Sequence, residues 1–407
     1  MKCRHCATQL EHTFLNLGFA PPSNAYLSVA ALKKPEIYYP LKINVCHQCW
    51  LVQTEDYAEA SQLFTDDYAY FSSTSSGWLN HARDFAQEAA SEFGLGKKSF
   101  VLEVASNDGY LLKNFLRAKI PCLGVEPTMS TAAVAETAGI PVIRKFFGEK
   151  LARRLKAQGN LADLIVGNNV YAHVPDINDF TKGLATVLKP EGVISLEFPH
   201  LMQLIEQCQF DTIYHEHYSY LSLHTVTRIF KEFGLRVWKV KQLKTHGGSL
   251  RVYACHQNSV RAKHPSVGRI LKAEIAAGLQ DLNTYLQYQE RAEGVKNQFL
   301  DFLLNTKLKK RKIIAYGAAA KGNTLLNYAG IKPDLLPVIY DAAKAKQGKY
   351  LPGSHIPIQS STEILDENPD YVLILPWNIA PEVIKQLSAL KKRGTKFVTA
   401  IPKLEIR

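Results

Sequence analysis

Cys3 and Cys6 are separated by two residues, and so are Cys46 and Cys49. A C-x-x-C pair on a tight turn aims two thiolates at one point. Two such pairs make a tetrahedral four-sulfur site for Zn²⁺, with bonds of about 2.3 Å and no open position, so the ion would be structural. A redox C-x-x-C sits between a strand and a helix of a thioredoxin-like unit, and neither pair has that setting. The chain holds seven cysteines, and an odd number argues against a disulfide framework.

Three further segments carry polar groups suited to binding or proton transfer. FVLEVASNDGYLLKNF, residues 100–115, reads as an apolar strand, a tight polar turn and a helix. That arrangement brings backbone N–H groups of Ala105, Ser106, Asn107, Asp108 and Gly109 to the carboxyl end of a strand, where open α/β sheets bind ligands. The next strand ends in CLGVEP, with Glu126 and Pro127. An acid there can accept hydrogen bonds from two ribose hydroxyls. The spacing suits either NAD or S-adenosylmethionine (SAM). The turn lacks G-x-G-x-x-G, which weakens the dinucleotide reading, and it also lacks the glycines of ordinary SAM sites.

FDTIYHEHYSYLSL, residues 210–223, packs Tyr214, His215, Glu216, His217, Tyr218 and Tyr220 into seven positions. This is a dense set of general acid–base groups. Residues at i and i+2 would share a strand face but not a helix face. GNNVYAHVPD, residues 167–176, follows another strand end and offers Asn168 and Asn169 to a ligand and His173 to a reacting atom.

These segments need scaffolding. Leu79, Ala82, Ala86, Ala89 or Ala90 and Phe93 recur at helical spacing, and Gly94 stands where that helix should stop. Runs at 100–104, 122–125, 163–166 and 192–198 alternate with helical stretches, which implies a parallel sheet covered on both faces. Residues 250–254 are expected as a closing antiparallel strand. One or two long amphipathic helices at 266–305 lead to a second α/β alternation, with strands at 312–316, 337–340, 371–375 and 396–401. Residues 1–66, rich in aromatics and turn formers, have too little apolar area to fold without a staple.

At 407 residues, two or three domains are expected. No apolar run reaches the roughly 18–20 residues needed to span a bilayer. The start of the chain has no apolar stretch like that of a signal peptide, so the expected location is cytoplasmic. The net charge of +12 favours anionic partners in general, but its densest run, Lys307 to Lys312, reads as a solvated helix end. That leaves an enzyme using SAM, an NAD-dependent oxidoreductase or epimerase, and a zinc-ribbon nucleic-acid-binding protein. The last gives the YHEH segment and two α/β units no purpose.

The motifs taken together resemble the bacterial sugar C-methyltransferases that act on nucleotide-linked 4-keto-deoxysugars, as in the tetronitrose, mycarose and noviose pathways. The resemblance rests on the paired C-x-x-C motifs around LGFAPPSNAYL, on EVASNDGYLL, NNVYAHV, FDTIYHEHYSYLS, THGGSLRVY, YGAAAKGNTLLNY, KQGKYLPGSHIPI and YVLILPWN. It implies an α/β protein with a zinc-binding domain at 1–66, a Rossmann-like SAM domain at 67–258 and a Rossmann-like nucleotide-sugar domain at 259–407. It further implies SAM and structural zinc as cofactors, and a monomer with no nucleic-acid or membrane partner. His217 would be the base for methylation beside a ketone, with Tyr214, Glu216, His173 and Tyr68 or Tyr70 around it. After Asp341 the chain reads DAAKAKQG where the family pattern is close to DxNPxKQG.

Overall fold

A computed structural model describes residues 1–57, 71–74 and 76–407. Tyr68 and Tyr70 lie outside the described residues. Three sheets organise the chain. The first contains β1 (His12–Ala20), β2 (Tyr39–Val45) and β3 (Val52–Thr54), paired antiparallel in that order. The two C-x-x-C turns flank it, and they share one hydrogen-bonding plan. Cys3 N donates to Thr8 O and Ala7 N to Cys3 O; Cys46 N donates to Leu51 O and Trp50 N to Cys46 O. Ala7 and Trp50, each four residues after the first cysteine of its turn, both take left-handed φ (58° and 61°).

The second sheet is α/β and built from β4 (Val101–Val104), β5 (Cys122–Val125), β6 (Val142–Ile143), β7 (Ala162–Asn168) and β8 (Leu188–Pro199), all parallel. The chain then leaves this sheet. The short β9 (Ser219–Tyr220) pairs antiparallel with β3, adding a fourth strand to the first sheet. It returns as β10 (Leu235–Leu243) and β11 (Ser249–His256), giving the order β10-β11-β8-β7-β4-β5-β6. The antiparallel strand expected at 250–254 is β11. It does not close the sheet, because β10 lies outside it.

The helix expected through Leu79 to Phe93 spans Ser76–Glu92 and buries Ala82, Phe85, Ala86 and Ala89 against one face of this sheet. It stops at Gly94, where φ is +62°. The opposite face packs on the helices Ile177–Val187 and Leu223–Glu232 and on the cysteine turns.

The linking region forms Pro265–Ala276, Leu282–Leu286 and Tyr288–Leu308, one helix more than expected. The basic run does lie at the last helix's exposed end, paired on the surface with Asp334, Glu367 and Asp370. Six strands follow: β12 (Ile313–Tyr316), β13 (Ile339–Asp341), β14 (Ile358–Ser360), β15 (Tyr371–Ile374), β16 (Lys396–Thr399) and β17 (Glu405–Ile406). All are parallel except β17. One core unites the first sheet, this third sheet and residues 201–220. Phe14 of β1, for example, stacks on Tyr288 at 4.5 Å. Among the described residues no helix is long and apolar enough to cross a membrane.

Candidate active site

The cysteines meet as expected. One ligand atom from each of Cys3, Cys6, Cys46 and Cys49 falls in a cluster no wider than 4.8 Å, with Sγ–Sγ distances of 3.5 Å for Cys3–Cys49 and Cys6–Cys46. Bonds of about 2.3 Å in a tetrahedron place sulfurs about 3.8 Å apart, so the cluster fits zinc with little adjustment. Gln53 Nε2 donates to Cys3 Sγ at 3.2 Å, a contact suited to a thiolate.

The turn after β4 takes glycine-like conformations without being glycine-rich. Ala105, Asn107 and Gly109 have φ of 57°, 49° and 77°. Gly109 is obligatory, because a Cβ there would lie 2.3 Å from Ile140 Cδ1. Glu126, at the end of β5, accepts from the amides of Asn107 and Thr128 at 2.9 Å each. Pro127 is half-buried beside it. Asn107 Oδ1 and Asp108 Oδ2 in turn accept from the amides of Ser72 and Ser73, fastening the start of the next segment over the turn.

Glu103, in β4 beneath this turn, is fully buried, and neither of its carboxyl oxygens has a hydrogen-bond partner among the described residues. The same is true of Ser106 Oγ, Asp108 Oδ1 and Asn168 Oδ1. Burial, with Glu126 and Asp108 nearby, holds the Glu103 carboxyl well above the usual range. Buried acceptors beside three acids disfavour a diphosphate and favour a cation. SAM, which carries a sulfonium and an ammonium and no phosphate, suits such a turn better than a dinucleotide.

The YHEH segment is neither helix nor strand until β9. His215 and His217 therefore share no face. His215 Nε2 meets Pro40 O at 3.2 Å, and Glu216 accepts from Asn24 Nδ2 at 2.8 and 3.0 Å, so both point to the first sheet and its loops. His217 turns the other way. Its Nδ1 lies 2.9 Å from Thr212 O, a contact that requires the proton on Nδ1 and leaves Nε2 as the basic nitrogen. Tyr214 tilts over the imidazole at 4.0 Å, and His173 meets it edge-on at 4.6 Å. Burial first, then the neighbouring His173, holds His217 well below the ordinary imidazole value. Burial likewise brings His173 down to about 4, against a hydrogen bond to the Glu216 backbone.

Several polar groups that the sequence reading did not single out line the same region. Glu197, near the end of β8, accepts from Arg251 Nη2 (2.5 Å) and Thr245 Oγ1 (2.9 Å) and pairs with His81 Nε2 (2.8 Å). Burial would raise the Glu197 carboxyl, but His81 and Arg251 outweigh it and bring it down to about 2. Asn169 and His246, both with left-handed φ (55° and 54°), meet at 3.1 Å. Trp78 stacks on His81 and Tyr110 and meets His246 edge-on, while Asn168 Nδ2 reaches Tyr110 OH at 3.4 Å. From the third sheet's side come Lys321 and Trp377. Trp377 Nε1 donates to Asp211 at 2.7 Å. The THGG motif was the available signal for His246: Gly247 and Gly248 are needed where Trp377 and Gln203 press on the backbone.

Comparisons with known proteins bear on the family and its cofactors. Residues 3–64 match a zinc binding domain, 78–240 a methyltransferase domain and 244–402 a C-methyltransferase C-terminal domain. The C-methyltransferase NovU of Streptomyces niveus is 32% identical over 401 residues, which are 98% of this chain and 95% of NovU. The chain belongs to the C-methyltransferase family. Its cofactors are SAM and a structural zinc ion, and the oxidoreductase and nucleic-acid readings fall away. Solved structures of the magnesium protoporphyrin IX methyltransferase of Synechocystis PCC 6803 (13% identity, 44% of this chain and 80% of that one, TM-score 0.35) are also similar. So is a SAM-dependent methyltransferase of Clostridium acetobutylicum (14% identity, 44% and 92%, TM-score 0.36). At those scores they add nothing to the C-methyltransferase assignment.

In the C-methyltransferase's third sheet, the altered loop after Asp341 keeps its anchor. Asp341 accepts from the amides of Ala318 and Ala343 at 2.7 Å each, and Lys346 donates to Ala318 O at 2.9 Å.

Proposed function

We propose that this C-methyltransferase methylates carbon 3 of a nucleotide-diphosphate-linked 4-keto-deoxysugar through an enolate. One observation carries the reading: His217 is a buried imidazole whose Nδ1 is held by Thr212 O, which leaves Nε2 as the basic nitrogen, with Tyr214 and His173 against the ring. A ketone at carbon 4 acidifies the hydrogen on carbon 3, and a histidine kept neutral by burial is suited to take that proton. Thr212 O fixes the ring's orientation through Nδ1. Tyr214 and His173 enclose the ring and exclude water, while Glu216 acts at one remove by holding Asn24 and its loop. Tyr68 and Tyr70 remain candidates for the pocket from the family resemblance.

Ala105–Gly109, Glu126, Pro127, Asn168 and Asn169 are assigned to the cofactor, which supplies an electrophilic methyl on a good leaving group. Positioning that methyl about 3–3.5 Å from carbon 3 is the main remaining task. The Rossmann-like unit at 259–407 is assigned to the nucleotide-sugar. The units at 1–66 and 67–258 are assigned to zinc and SAM, within a cytoplasmic monomer.

The test is mass spectrometry of products made with methyl-labelled SAM and a panel of nucleotide-linked 4-keto-deoxysugars. Label on carbon 3 is expected. Label on oxygen or nitrogen, or no turnover with any ketosugar, would overturn the proposal. His217→Gln should cut turnover by at least a hundredfold and leave SAM affinity unchanged.

A further inference from the structure

Two lysines flank the turn after β12, and the fold treats them differently. Lys346 is neutralised in place: its Nζ lies 3.8 Å from Asp341 and donates to Ala318 O. Lys321, in the first turn of the helix Ala320–Tyr328, has no carboxylate within 4.0 Å among the described residues. Its Nζ donates to Asn378 Oδ1 at 3.1 Å and lies 4.7 Å from the Trp377 ring centre. Asp211, farther than 4.0 Å, is the carboxylate that partly offsets its burial, so Nζ keeps a hydrogen to donate where Lys346 is spent on Asp341 and Ala318 O.

The surroundings say where this cation points. Its helix packs on the short turn Phe210–Thr212, and Thr324 Oγ1 donates to Ile213 O at 2.9 Å. The Thr212 carbonyl is the one that orients His217. The Trp377 ring beneath Nζ is held by Asp211 and presses on Gly247, beside His246. The lysine's charge reaches His217 and His246, adding to the burial that already lowers both. Lys321 is thus a cation delivered by the third sheet to the wall that holds the base.

We infer that Lys321 is a catalytic residue whose Nζ donates to the carbon-4 oxygen of the substrate and stabilises the enolate. The inference rests on the ketosugar reading. His217 Nε2 takes the proton from carbon 3, the C–H electron pair becomes the C3=C4 bond, and the carbonyl pair moves to the oxygen beside Lys321. When carbon 3 takes the methyl, the C4=O bond re-forms and the sulfonium's C–S pair leaves with sulfur. No oxidant or reductant is required. A preorganised donor at a developing oxyanion contributes about 10²–10³ in rate.

Lys321→Met and Lys321→Arg test this, with the ketosugar that the wild-type enzyme methylates. Three readouts are needed: deuterium uptake at carbon 3 in D₂O with the demethylated cofactor bound, steady-state kcat and KM, and SAM affinity by calorimetry. Lys321→Met should slow saturated exchange and kcat together by about a hundredfold or more, with KM within a few-fold and SAM affinity unchanged, and Lys321→Arg should recover most of the loss. A large rise in KM with kcat and saturated exchange intact would overturn the assignment and make Lys321 a substrate anchor. If Lys321→Met does not fold, an Arg variant that is folded yet exchanges as slowly as a base-less His217→Gln enzyme overturns it as well. No wild-type exchange with any ketosugar would instead sink the ketosugar reading, and this assignment with it.

Discussion

His217 can act as a base only while neutral. Burial lowers its pKa, so the neutral form persists to lower pH than for an exposed histidine. On the acid side, kcat/KM should stay flat through pH 6.5 and fall only well below it. A half-maximal point at 6.5 or above would point to another base. The neighbouring histidines also make the fold acid-sensitive. His173 and His246 are held at about 4 by burial against 6.5 in an unfolded chain. As pH falls between those values the unfolded chain binds protons first, so stability is lost. Asp211, raised from 3.8 to about 6 by burial, and Glu103, held well above 4.5, work in the opposite sense, while His217 and His215, also lowered by burial, add to the histidine side and keep the balance there. Urea unfolding midpoints should therefore drop between pH 7.5 and pH 5, and a midpoint that holds or rises would contradict these assignments.

Individual turns and strands differ in how far local sequence reveals them. Four cysteines in two C-x-x-C pairs announce zinc because a metal's geometry is satisfied locally. The places of Gly109 and Glu126 after β4 and β5 were legible because an apolar run followed by a polar turn marks the end of an α/β strand. By contrast β10 escaped notice, since a register slip between Val237 and Lys239 breaks its alternation at Trp238. β9, two residues long, had no pattern to read. Asn24, Lys321, Trp377 and Glu197 could not be placed because their partners lie 48 to 192 residues away. Two predictions belong at this scale. Gly109→Ala should combine the strain of a left-handed non-glycine with a clash on Ile140, costing about 2–4 kcal/mol. Calorimetry should then show SAM affinity weakened tenfold or more. Removing zinc with a chelator should lower the melting temperature by about 10 °C and cut kcat more than tenfold, with both restored by added zinc. Activity should suffer because β3, next to the second cysteine turn, holds β9 just beyond His217.

Across the whole molecule, the three sheets are coupled through a few polar contacts near the site. Asn24 reaches Glu216, Tyr26 OH donates to Ala318 O at 2.7 Å, and Thr225 Oγ1 donates to Cys49 O at 3.2 Å. Asn24→Ala removes two hydrogen bonds to a buried carboxylate and should cost about 1.5–3 kcal/mol in denaturant unfolding. Turnover should fall with it, because Glu216 adjoins His217, while SAM binding should not. A variant as stable and active as the parent would show that the loop and the site are uncoupled.

The pairing of β9 with β3 also bears on how the chain is made. A ribosome releases residues 1–57 long before residues 219–220 emerge. Until then β3 presents an open edge, and open edges invite pairing with other chains. A fragment ending near residue 66, even with its metal bound, would keep that edge permanently. It should self-associate in proportion to its concentration, and a peptide spanning 214–222 supplied in trans should suppress the association.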